Sequence, residues 1–429
     1  MKKYLSLLLV CGCCAGALTP AWSAEKVELR LAWWGGKARN MATLEAMKAF
    51  EAKYPNISVK GEFTGWDGFY SRLTTQINSG TEADVIQTNW NWLTILSKKG
   101  DGFYDLNQVK DQLDLNQFSP ASLATTTVNG KINGVPLSSN VMLFYYNAVT
   151  WKKAGIDYPK NWDELMQAGQ TFKEKLGDNA FPLIIGEQDG LLLLRSYMYQ
   201  KYQKPLLDEK ARKLAWTHEE LVEAFTFLKT LTDNHVAPDT KYMASFGKGM
   251  MYEMKPWING DWAGLYGWSA MYPTLANNLK TSADLVLGPY PMLPGAKDAG
   301  QFQKTALMFS LGRSTKHPQE AALLVNFLVS DPAGVRATGL ERGAPISKIA
   351  EKTLREANIL SDKDPSVQGL QQYYQLPNRS FSSPYLEDLQ FLAQFTAARE
   401  SIDYGKKTID QAATQFEEQC NRILRRVMR

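Results

Sequence analysis

Val27-Glu28-Leu29-Arg30-Leu31-Ala32-Trp33-Trp34-Gly35-Gly36 reads as a strand running into a loop. Val27, Leu29 and Leu31 alternate with charged residues, and the Trp and Gly pairs then break the alternation. Beyond the loop the period changes. Met41, Leu44, Met47, Phe50 and Tyr54 recur at near-helical spacing until Pro55-Asn56, after which Ile57, Val59, Gly61 and Phe63 alternate as a second strand. Phe69, Leu73 and Ile77 mark a second helix that stops at Gly80, and Val85-Ile86 behind Asp84 opens a third strand. This β-α-β-α-β order predicts an α/β protein with a mostly parallel sheet covered by helices, whose ligands bind at loops beyond the strands' C-terminal ends. Those loops are expected at Trp33 to Arg39, Phe63 to Asp67 and Thr88 to Trp92.

Further along, Leu143-Phe144-Tyr145-Tyr146-Asn147 is strand-like, and Asp163 to Lys175 reads as a helix behind the turn Tyr158-Pro159-Lys160-Asn161. Thr217 to Thr232 is also helical, with Leu221, Phe225, Leu228 and Leu231 on one face. The last helix has the capping-box pair Thr408 and Gln411 and an apolar stripe of Ile409, Ala412, Phe416, Cys420, Ile423 and Val427. Cys420 is therefore expected in the core. The Pro/Gly-rich stretch Gly288-Pro289-Tyr290-Pro291-Met292-Leu293-Pro294-Gly295 is the expected crossover between domains.

Composition bounds the function. The 429 residues are 44% hydrophobic and 21% charged, which is globular, and the length suggests two or three domains. Lys+Arg number 48 against 44 Asp+Glu, a balance that does not suit a nucleic-acid binder. Lys2 and Lys3 precede an apolar run from Tyr4 to Leu18, followed by the small-residue stretch Ala21-Trp22-Ser23-Ala24. This predicts a Sec signal peptide over residues 1–24, cut before Glu25, and a periplasmic location. Val10 before Cys11 does not suit lipid attachment, and cleavage removes Cys11, Cys13 and Cys14, leaving Cys420 without a disulfide partner.

Catalytic and cofactor motifs are missing. His218, His235 and His317 have no second His or Cys at ligand spacing, so no metal is expected. The sequence has no phosphate loop, no dinucleotide turn and no nucleophile elbow, and Gly267-Trp268-Ser269-Ala270-Met271 fails the last of these at its final position. No cofactor and no catalytic residue are predicted. Glu219-Glu220 and Asp362 with Asp364 read as wet surface, while a glycosidase pair distant in sequence stays open.

Aromatic residues are in excess, with 12 Trp and 19 Tyr. Trp33, Trp34, Trp66, Trp90 and Trp92 fall at or just past strand ends, and Trp257, Trp262 and Trp268 share one Gly-rich stretch. Aromatic faces stack on the C–H faces of sugar rings, so the distribution suits carbohydrate, while core packing is the competing reading for any single Trp. Cations accompany them: Lys37 and Arg39 after the Trp pair, Arg195 in the second half, and Arg342 before Gly343-Ala344-Pro345. Arg grips a carboxylate through two parallel hydrogen bonds, so rings plus cations would suit an acidic sugar.

Several blocks carry a resemblance. Ala49-Phe50-Glu51-Ala52-Lys53-Tyr54-Pro55-Asn56-Ile57-Ser58-Val59 is followed by Ile77-Asn78-Ser79-Gly80-Thr81-Glu82-Ala83-Asp84-Val85, with Ala83 where a Pro is usual. Gly134-Val135-Pro136, Tyr145-Tyr146-Asn147, Lys153-Ala154-Gly155-Ile156 and Pro159-Lys160-Asn161-Trp162-Asp163-Glu164-Leu165 form the most specific run. Phe246-Gly247-Lys248-Gly249-Met250-Met251 and Asn259-Gly260-Asp261-Trp262 complete it, with the small residue usual after the Lys-containing turn less regular. With these blocks the chain resembles the extracellular solute-binding proteins of bacterial ABC sugar importers, and within them it is most similar to those that bind oligogalacturonides.

The resemblance implies a two-lobed, type II Venus-flytrap periplasmic binding protein, each lobe a mostly parallel sheet flanked by helices, joined by crossover hinge segments. It divides the chain into an N-terminal lobe of residues 25–139 plus 292–345 and a C-terminal lobe of 140–291 plus 346–429. It implies a non-enzymatic monomer whose partners are an acidic oligosaccharide, in particular an oligogalacturonide, and the membrane permease subunits. By position, its cleft residues would be Trp34, Lys37, Arg39, Trp66, Asn89, Trp90, Ser139, Asn140, Asp261, Trp262, Trp268 and Arg342, joined by Trp257 and Arg195 from the aromatic and cation reading. A neutral oligosaccharide or phosphorylated polyol as ligand, or a periplasmic lyase or hydrolase, are the alternatives.

Overall fold

The computed structural model describes residues 26–428 other than Asp67, Lys248, Gly249 and 377–379. The expected signal peptide over residues 1–24 lies outside the described residues, as do Asp67 at the end of the second expected loop and Lys248-Gly249 of the later family block.

The opening unit follows the expected order. Val27–Trp34 forms β1, Lys37–Lys53 α1, Ile57–Thr64 β2, Phe69–Ser79 α2 and Val85–Asn89 β3, and β1 pairs in parallel with both β2 and β3. The strand runs two residues past the expected break. Trp33 and Trp34 stay in β1 because the sheet is covered on both faces: the Trp33 ring packs with Phe50 and Val59 on one side, the Trp34 ring with Phe69 and Ile86 on the other. Gly80, at φ 65, ends α2 in the left-handed conformation, its N–H bonding back to the last turn.

Later elements complete two sheets. Val135–Pro136 is β4, Ser139–Asn147 β5, Glu187–Tyr202 α3, His218–Asp233 α4, Gly264–Trp268 β6, Leu285–Leu287 β7, Phe302–Thr305 β8 and Leu307–Leu311 β9. Pro318–Ser330 is α5, Ser380–Phe381 β10, Leu389–Asp403 α6 and Ile409–Val427 α7. The first sheet has the order β2-β1-β3-β9-β4, with β9 antiparallel to both its neighbours. The second has the order β6-β5-β8-β10, with β7 also paired to β5. Here strand direction departs from expectation. β6, β7 and β8 all run antiparallel to β5, and β10 pairs in parallel with β8. β5 is buried along its whole length, so its continuous apolar run carries no directional signal.

Each sheet has its own core, which makes two lobes. Leu29, Phe50, Val85, Phe309, Leu324 and Phe327 pack in the first, and Phe144, Leu192, Phe225, Phe395, Phe416 and Cys420 in the second. The Thr217 and Thr408 capping boxes both form, and Cys420 is fully buried. Residues 302–305, placed by the expected division in the first lobe, pair with β5 in the second sheet, while Ala350 and Leu354 pack on Val335 beside α5. The Gly288–Gly295 stretch is not the crossover. The N–H of Gly288 bonds the Phe144 carbonyl and Tyr290 packs on the second core, so this segment stays inside one lobe.

The chain passes between the lobes at residues 137–139 and 305–307 instead, and residues 343–346 lie beside these two passages before the chain returns to the first lobe at Ala350 and Leu354. Leu137 N–H donates to the Leu307 carbonyl (2.8 Å), Ala306 N–H to Ser138 (2.9 Å) and Ile346 N–H to Leu137 (3.0 Å), with Ser138 also bridged to Pro345. The segments around residues 137–139, 305–307 and 343–346 are thus hydrogen-bonded side by side.

Candidate ligand-binding cleft

Parallel pairing of β1, β2 and β3 brings Trp34, Thr64 and Asn89 to one end of the first sheet, and the loops beyond them form one wall. Trp34 is almost fully covered. Its ring meets Trp66 edge-on (5.2 Å), Phe69 (5.1 Å) and Trp92 (5.0 Å), and Trp66 in turn lies 5.7 Å from Trp92. Trp66 is the open member of this cluster, 49% exposed, with its ring supported from below. Trp92, which sequence reasoning counted only as a loop aromatic, is the support. Trp90 is buried with its indole N–H unpartnered, and the turn Trp90–Trp92 lies against the turn Pro384–Glu387 of the second lobe.

The cations of this wall divide by role. Lys37 is exposed in the first turn of α1. Arg39 folds back: its Nε donates to the Glu341 carbonyl (2.9 Å) and its Nη1 to the Trp34 carbonyl (3.2 Å). Gly35 is required there, because a Cβ would sit 2.7 Å from the Arg39 Cδ. Arg342 comes in beside it, donating from Nε to Gln87 Oε1 (2.8 Å) and from Nη2 to Thr43 Oγ1 (3.0 Å), while Nη1 is buried without a partner. Burial and the neighbouring Arg39 charge push the Arg342 guanidinium below its ordinary range. Among the described residues both arginines bond only neutral oxygens, which leaves their charge available to an anion.

At the floor, the crossovers bring the lobes together. Ser139 donates to Gln303 Oε1 (3.0 Å), and Asn140 Oδ1 accepts from the Ala270 N–H (2.9 Å) and the Ser269 hydroxyl (3.2 Å). Gly343, at φ 89, packs against Ala270 and Ser138, so the backbone next to Arg342 meets the floor, while the Arg342 side chain lies over the Phe309 ring. Trp268 stands at that end, with the Lys304 ammonium 4.1 Å above its ring and Lys304 paired to Glu387 in a buried ion pair. Lys304 and Glu387 were missed in the sequence. A Lys in the interior of Gln301-Phe302-Gln303-Lys304-Thr305 was the available signal, since a strand buries Lys only with a partner.

Four expected site residues lie elsewhere. β6 runs antiparallel to β5, so the chain enters the sheet at Gly264, ~13 Å from Trp268. Asp261 and Trp262 precede that far end, and Trp262 and Trp257 are fully buried in the small core with Leu275 and Tyr373. The Trp257 indole donates to the Leu275 carbonyl (3.1 Å). Both are packing residues, and Asp261 is exposed next to them. Asn89 ends β3 at the wall, half-buried. Arg195 sits on α3 over the Phe302 ring, within the second lobe. Among the described residues no group of His, Cys, Asp and Glu could hold a metal ion.

Residues 37–335 match the model of the bacterial extracellular solute-binding protein family. The chain belongs to that family. A periplasmic oligogalacturonide-binding protein from Yersinia enterocolitica, solved with saturated digalacturonic acid, is 56% identical, covers 94% of this chain and 100% of its own, and superposes with a TM-score of 0.90. A periplasmic solute-binding protein from Pectobacterium atrosepticum is 42% identical over 94% of this chain and 100% of its own, with a TM-score of 0.91. A putative binding protein of Brucella abortus is 24% identical over 97% of this chain and 98% of its own length. This solute-binding protein therefore has the two-lobed type II fold and a substrate-binding role, and its ligand is to be sought between the lobes.

Proposed function

We propose that this protein is the periplasmic receptor of an ABC importer and captures oligogalacturonides between its lobes for delivery to the membrane permease. It acts as a monomer and without catalysis. The carrying observation is the pairing of Arg39 and Arg342, neither bonded to a carboxylate among the described residues, in the same lobe as the open Trp66 ring. Stacking on Trp66 would hold a ring face, and the guanidinium groups the carboxylate that every galacturonate unit carries. The digalacturonate found in the Yersinia relative supports the same reading. The passages near residues 138 and 306 support a division of the lobes there, and export rests on the signal peptide read in residues 1–24.

Calorimetric titration with digalacturonate and trigalacturonate, with maltotriose as neutral control and chromatography of the recovered sugar, tests this. Uronate binding with intact ligand is expected. Binding of maltotriose instead would shift the ligand class to neutral sugars, and a shortened ligand would make the protein an enzyme.

A further inference from the structure

A separate recess lies wholly inside the second lobe. A cavity of about 600 Å³ opens between α3, the small hairpin around Leu207–Asp208, β10 and the turn Pro384–Glu387. Arg195 lines it, 5% exposed, its guanidinium 3.7 Å from the Phe302 centroid and its Nη2 reaching Ser380 Oγ only at 3.5 Å. Its Nη1 is buried with no partner, and so are the hydroxyls of Ser382 and Ser383, which line the same cavity. Among the described residues no carboxylate bonds Arg195. Burial pulls its pKa down to about 10, which leaves it cationic at neutral pH.

Unpartnered buried donors are costly, and three of them beside one cavity, one of them charged, make a cradle for an anionic oxygen. The rim adds selectivity. Phe381 is 44% exposed and offers a ring face, while Asp208 and Glu209 line the opening and would accept from hydroxyls. The same two carboxylates repel a multiply charged anion such as phosphate. A sugar acid has the complementary set: one carboxylate, several hydroxyls and an apolar ring face.

We propose that this recess is a second binding site, taking the carboxylate of a sugar acid on Arg195, Ser382 and Ser383. Every lining residue belongs to the second lobe, so the site needs no closure of the cleft and goes beyond the inter-lobe reading. A free uronate monosaccharide and the end unit of an oligomer present the same chemistry.

Titration of the full mature chain with galacturonate, galactose and trigalacturonate, in wild type, Arg195→Met and the double variant Ser382→Ala/Ser383→Ala, tests it. Melting curves would accompany each variant. Loss of the charge-assisted and hydroxyl bonds should weaken acid-sugar binding by about tenfold. If galacturonate binds wild type, galactose does not, and both variants weaken it, the occupant is the free sugar. If only trigalacturonate weakens, the occupant is a chain end. Equal binding of galactose and galacturonate, or variants that bind galacturonate and trigalacturonate as wild type does, would overturn the proposal. The double variant changes only two hydroxyls, so it remains informative if Arg195→Met does not fold. Failure of the cleft reading would show separately, as a single trigalacturonate site on wild type that both variants weaken, whereas an intact cleft leaves one site of wild-type affinity in them.

Discussion

Trp66 and Trp262 carry the same side chain in opposite settings. Trp66 keeps half its surface in solvent over Trp34 and Trp92, so Trp66→Ala should leave the melting temperature nearly unchanged while weakening digalacturonate about tenfold, measured by calorimetry. Trp262 is packed on all sides, and Trp262→Ala should cost ~3–5 kcal/mol of stability in urea unfolding. Sequence could not separate them. Both precede or follow turn-like residues, and only strand direction decides which end of a sheet faces the cleft. Asp189 supplies a pH prediction. Burial raises its carboxyl from 3.8 to about 7, with Lys304 opposing, so between those values the folded state holds more protons than the unfolded one. Its contribution to stability therefore falls as pH rises through that window. The urea midpoint should drop as pH rises from about 4 to about 7, and Asp189→Asn should flatten that drop.

At the scale of elements, local signals were the most legible. The capping box at Thr408 and Gln411 forms as read, and Thr408→Ala should cost ~1 kcal/mol in thermal unfolding, because the first-turn N–H groups of α7 lose their acceptor. The opening β-α-β-α-β unit was readable because its first two strands alternate, the third opens on the apolar pair Val85-Ile86, and each helix has a stop signal at Pro55 or Gly80. The antiparallel second sheet was not, since β5 is buried on both faces and its partners arrive from positions 264, 285 and 302. The crossovers were also hidden. A hinge was sought in Pro/Gly-rich sequence, whereas residues 305–307 run on almost as continuous strand from β8 into β9.

For the whole molecule, the cleft lies where two sheets with separate cores meet across three bonded segments, and ligand should draw the lobes together. Small-angle scattering should show a smaller radius of gyration with saturating digalacturonate than without. Ala306→Pro removes the N–H that bonds Ser138 at 2.9 Å, and should weaken that compaction while leaving each lobe folded. An unchanged radius in wild type at saturation would argue against closure.

Three segments bonded edge to edge, two of which cross between the lobes, would bend as a flat ribbon does, pliant across its thickness and stiff within its plane. Such a joint leaves one soft coordinate. Every loading event, whatever the length of the captured sugar, would then be translated into a value of one angle. A membrane complex that gauges that angle could sense cargo without touching it.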